Sequence, residues 1–127
     1  MELEPAGETD LVALLQSMRP ELREGAFEFV TTTHPTGDEV AGAVVIVHES
    51  EGVTLVRPTN ARNVDAMAWI TLTVHSSLHA VGLTAAVATA LAERGIACNV
   101  VAGFHHDHLF VPFERRTEAV DVLLELA

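Results

Sequence analysis

Residues 68–113 read AWITLTVHSSLHAVGLTAAVATALAERGIACNVVAGFHHDHLFVPF, and the periodicity of their apolar residues changes twice. AWITLTVH (68–75) alternates and is rich in β-branched residues, the pattern of a half-buried strand. Beyond it Leu83, Val87 and Leu91 fall on one face of a helix, and Gly95 supplies the stop, so a helix is predicted from about Gly82 to Arg94. ACNVVAGF (97–104) and HLFVPF (108–113) return to the strand pattern and are joined through a histidine cluster. ERRTEAVDVLLELA (114–127) predicts a final helix with Ala119, Val120, Leu123 and Leu124 apolar. The order is β-α-β-β-α, and on an antiparallel sheet the 97–103 strand is expected beside 69–74.

Working back toward the N-terminus, TDLVALLQSMRPEL (9–22) places Leu11, Leu14, Leu15 and Met18 on one helix face, with Thr9 or Asp10 as N-cap and Pro20 as boundary. Three strands follow, AFEFVTTT (26–33), AGAVVIVHE (41–49) and GVTLVRP (52–58), separated by the turn-formers HPTGDE and SEG. A β-α-β-β-α unit that borrows its last strand from a neighbour is ferredoxin-like, with helices on one face of an antiparallel sheet. The expected architecture is therefore α+β, two such units sharing strands, 1–62 and 63–127, joined through the polar loop PTNARNVDAM (58–67).

Composition narrows the function. The 127 residues are 49% apolar, enough for a real core, and the formal net charge is −11 with seven arginines and no lysine. Phosphate backbones and anionic membrane surfaces both require clustered cations, so neither nucleic acid nor membrane is an expected partner. Cys98 stands alone and cannot form an internal disulfide, and MELEPAGETD (1–10) is acidic where a signal peptide is basic and then apolar. A soluble, cytoplasmic protein is expected.

VHSSLHAVGL (74–83) lies where a strand ends and a helix begins. Such a junction directs free backbone N–H groups and the positive end of a helix dipole at the space before it, which suits a carboxylate. His75, Ser76, Ser77 and Leu78 lead into the turn, Val81 and Leu83 flank Gly82, and Gly82 permits close backbone approach. The competing reading is that a serine only caps the helix. In the strand that follows, Asn99 is the polar exception beside Val100 and Val101; its amide either braces a neighbouring loop or meets a ligand.

The cluster HHDH (105–108) admits three readings. It is a polar hairpin tip with its turn near His105–Asp107, a ligand or subunit contact, or a metal site. Neighbours on a strand point to opposite faces, which works against convergence on a metal, and neither a His-Glu-x-x-His motif nor paired cysteines are present. As a ligand contact, Asp107 accepts an ammonium group and an imidazole such as His105 adds a hydrogen bond. Cys98 reads as a small buried hydrophobe, and Arg115 with Arg116 as a solvated face.

Residues 68–122, with their strand-SS-x-x-x-x-G-helix-GI-x-x-NV order, resemble the ACT-like small-molecule-binding domains, in particular short bacterial proteins of unassigned function with two such units in tandem. LLQSMRPEL (14–22) and EGVTLVRP (51–58) are similar to the same family. The resemblance implies a non-catalytic regulatory module that binds an amino acid at the strand-to-helix loop and at an interface with a second unit, as a homodimer and without cofactor or resident metal. The arginine-sensing proteins of eukaryotic nutrient signalling are distantly similar. No nucleophile elbow, P-loop or dinucleotide fingerprint argues for an enzyme. Two alternatives stand beside this reading: a metal-binding protein or metal-dependent enzyme using His105, Asp107 and His108, and a purely structural dimerisation module.

Overall fold

The computed structural model describes residues 10–74 and 81–127. The carboxylate of Asp10 accepts a hydrogen bond from the Val12 amide at 3.0 Å and starts the first helix, α1 (Leu11–Ser17). A three-residue strand, β1 (Pro20–Leu22), and a longer one, β2 (Ala26–Thr32), follow; then α2 (Gly37–Gly42), β3 (Val45–Glu49), β4 (Gly52–Thr59) and β5 (Met67–Leu72). The remainder is α3 (Leu83–Glu93), β6 (Asn99–Ala102), β7 (Asp107–Pro112), a 3-10 turn over Phe113–Arg115, and α4 (Arg116–Glu125).

Among the described residues the strands form one sheet in the order β3-β4-β2-β5-β7-β6, with β1 also on β5, and every pairing is antiparallel. The segment β5-α3-β6-β7-α4 and the borrowed strand β1 give the order β1-β5-β7-β6, a ferredoxin-like sheet whose fourth strand comes from the N-terminal half, as the sequence led us to expect. Leu22 faces Ile70 and Phe27 faces Met67, so residues 23–26 span what 68–69 span on the partner. This bulge, with Gly25 at φ +86°, lets one run of chain leave β5 and pair with β4.

Alternation along β5 and β7 divides the sheet into two unlike faces. Ala68, Ile70, Leu72, Leu109 and Val111 turn toward α1, α3 and α4, and with Leu14, Leu83, Val87, Leu91 and Leu123 they make the main core. Helix α1 thus packs into the core of the C-terminal half. Phe27, Val56 and Phe110 form a second cluster, flanked by Val45, Met67, Trp69 and Val101.

Three local expectations are corrected. HPTGDE is not a turn alone: Thr36 accepts from the Glu39 amide at 3.1 Å and Glu39 accepts from the Thr36 amide at 3.0 Å, a capping box that opens α2 and delays the next strand from 41 to Val45. The strand beginning at Asn99 does not run beside β5. Its hairpin partner β7 lies between them, because a short loop, closed by Gly103 N–H donating to His106 C=O at 2.9 Å, pairs β6 with β7. Arg115 is not a free surface charge: it pairs with Glu118 at 2.6 Å and donates to the carbonyls of Arg94 and Gly95, closing the C-terminal end of α3.

Candidate functional site

The sheet register aligns Ala102 of β6, Asp107 of β7 and Leu72 of β5 in one row. Leu72 ends β5, so Asp107 stands at the end of the sheet where the chain leaves for the strand-to-helix junction. Asp107 shares the face of Leu109 and Val111 and is only 8% exposed, an ionisable side chain at the helix-covered side of the sheet. Its neighbour His108 projects from the opposite face. His105 is exposed in the hairpin loop, edge-on to Phe104 at 5.2 Å. Among the described residues no three His, Cys, Asp or Glu side chains come together to hold a metal ion.

The junction residues His75, Ser76, Ser77 and Leu78 lie outside the described residues. Beyond them Val81 is exposed, and Gly82 occupies the N-cap position of α3 with φ +103°. A β-carbon there would lie 3.0 Å from a methyl group of Leu11, so α1 is pressed against the start of α3. Among the described residues no side chain caps α3, and its first N–H groups have no such acceptor. Leu83 is buried in the main core and fixes the first turn.

Asn99 is separated from this group. It pairs with Phe110 at the far end of β6, roughly 10 Å along the strand from Ala102, on the face of Val101. It is exposed, and its amide donates to the Phe110 carbonyl at 3.5 Å. Val100 packs on the main core and Val101 on the aromatic cluster, so adjacent positions of the predicted set serve opposite faces.

A further polar constellation sits on the aromatic face. Trp69 Nε1 donates to His108 Nδ1 at 3.1 Å, the Thr71 hydroxyl lies 3.1 Å from the same nitrogen, and Arg23 Nε donates to that hydroxyl at 3.1 Å. The Arg23 guanidinium also lies 4.8 Å from the Trp69 ring centre. Burial, then His106 and the positive charge of Arg23, hold the His108 imidazole below its ordinary pKa, against a smaller opposing pull from Asp107. Sequence reasoning passed over this group. The signal was present, because Trp69, Thr71 and His108 occupy the positions alternate to the core residues of β5 and β7.

A cavity of about 410 Å³ opens where the β4–β5 connection meets the sheet, lined by Phe29, Asn63, Asp65, Met67 and Asn99 among others. Cys98 is half-buried against the main core, and burial pushes its thiol up to about 11. Among the described residues no helix is long and apolar enough to cross a membrane.

Comparison with known proteins gives two profile matches, each to the ACT domain, over residues 6–65 and 67–125. A solved structure from Vibrio cholerae, of a protein of unknown function described as a possible transport protein, is similar with a TM-score of 0.78 and 43% identity, over 90% of this chain and 93% of that one. A protein from Agrobacterium tumefaciens shares the fold, with a TM-score of 0.65 and 17% identity over 86% of this chain and 88% of its own. No curated protein matches the chain.

Proposed function

Because this chain belongs to the ACT domain family and carries two ACT domains in tandem, we propose that it binds a free amino acid at the strand-to-helix junction of its second unit and acts as a non-catalytic regulator. ACT domains are small-molecule regulatory modules; the amino acid, the site and the homodimer are our own reading, as are unit limits at 1–62 and 63–127 and a cytoplasmic location.

The observation that supports the site most strongly is Asp107, buried in the row Ala102–Asp107–Leu72 at the end of the sheet from which α3 is approached. A carboxylate there suits an α-ammonium group, and the first turn of α3, which no side chain caps among the described residues, suits an α-carboxylate. On this reading the ammonium group is assigned to Asp107 and the carboxylate to the start of α3. The edge strand β6, which pairs with β7 alone among the described residues, supports dimerisation by strand pairing.

A thermal-shift series of the full chain against the twenty amino acids tests this reading. One amino acid at 100 times its dissociation constant is expected to stabilise the fold by about 2.7 kcal/mol, and Asp107→Asn is expected to remove the shift. Stabilisation by none of them contradicts the reading, as does a shift that Asp107→Asn leaves intact.

A further inference from the structure

The cavity beside the β4–β5 connection lies on the other face and at the other end of β6 from Asp107. Its volume of about 410 Å³ falls within the range of small-molecule pockets, roughly 300–1,000 Å³. Phe29 and Met67 give it apolar walls. Phe29 is 42% exposed yet held edge-on against Phe110 at 5.5 Å, so one ring face stays available without the ring being loose. Asn63, Asp65 and Asn99 supply the polar rim.

The charge of this lining has one sign. Among the described residues it contains two acids and no arginine. Glu28 is already neutralised by Arg57 at 2.8 Å, whereas the Asp65 carboxylate forms no ion pair among the described residues. The loop carrying Asp65 is fixed before any ligand arrives: Asn63 Oδ1 accepts from the Asp65 amide at 3.0 Å, and the Ala66 carbonyl accepts from the Phe113 amide at 2.9 Å.

An aromatic ring, a carboxylate and two side-chain amides around a partly apolar cavity match a small organic cation. We propose that this cavity is a second binding site, separate from the amino-acid site above, for an alkyl amine whose ammonium group is held by Asp65 and Phe29 and whose chain lies on Met67. The net charge of −11 draws such a cation toward the protein at low ionic strength.

Calorimetric titration of the full chain with cadaverine tests the proposal. Binding is expected to weaken about tenfold in Asp65→Asn and about threefold in Phe29→Leu, which keeps the apolar bulk and removes the ring. Asp107→Asn is expected to leave it unchanged. Asp65 is exposed and only its backbone holds the loop turn, so its variant folds, and a circular-dichroism melt verifies this. Absence of cadaverine binding overturns the proposal, as does binding that Asp65→Asn leaves intact or that only Asp107→Asn removes; the last result would assign the amine to the junction.

Discussion

Trp69 and His108 are joined across the β5–β7 ladder, indole Nε1 donating to imidazole Nδ1 at 3.1 Å. This bond fixes the tautomer: Nδ1 is an acceptor, so the ring proton resides on Nε2. Arg23 uses the Thr71 oxygen as acceptor, which leaves the Thr71 hydroxyl proton for the same Nδ1. Protonating Nδ1 breaks the Trp69 contact, turns the Thr71 oxygen into the acceptor of the other, and places a cation near Arg23.

The pH dependence follows with a definite sign. The folded pKa of His108 is below its ordinary 6.5, so above that value both folded and unfolded states are neutral and the group does not affect stability. As pH falls below 6.5 the unfolded chain takes up the proton first, and stability declines until the folded pKa is passed. Melting temperatures between pH 8 and pH 5 are expected to fall less steeply in His108→Gln than in the native chain. Identical slopes would contradict this.

Gly82→Ala tests the junction between α1 and α3. The substitution forces a β-carbon into a left-handed conformation and to 3.0 Å from Leu11. A loss of about 1–3 kcal/mol in urea unfolding is expected. Gly37→Ala, whose β-carbon meets nothing within 4 Å, serves as the control and should lose less. Equal losses would contradict the contact.

The capping box of α2 gives a local prediction. Thr36→Ala removes the acceptor for the Glu39 amide and is expected to cost about 1 kcal/mol, with Thr36→Ser retaining most of it. Hydrogen exchange at Glu39 should quicken in the alanine variant; an unchanged rate would show that the cap does not hold the helix.

Cys98 is expected to react slowly with iodoacetamide at pH 8. Its thiol, pushed up to about 11 by burial, is almost wholly protonated there. Labelling of the native chain as fast as of the urea-unfolded chain would contradict that environment.

Much of this architecture is legible in the sequence because period and punctuation agree. Leu83, Val87 and Leu91 mark α3, Gly95 ends it, and the alternation in 68–75 marks β5. What escaped depended on pairing or on short signals. β1 has three residues and opens with proline, and only its ladder to Ile70–Leu72 makes it a strand. The T-x-x-E box at Thr36 was readable but lay inside a run of turn-formers. For the site, the row uniting Asp107 with Leu72, and the separation of Asn99 from it, depend on which strand lies between β5 and β6. Local pattern does not specify that order. The cavity at Phe29 and Asp65 likewise joins segments far apart in the chain.

The most direct test of amino-acid binding at the junction is an amide chemical-shift titration of the full chain with the amino acid that stabilises it most. The account predicts saturable shifts centred on Gly82, Leu83, Ala102 and Asp107, abolished by Asp107→Asn. Shifts confined to Phe29, Asp65, Met67 and Asn99, or no saturable shift with any amino acid, would contradict it.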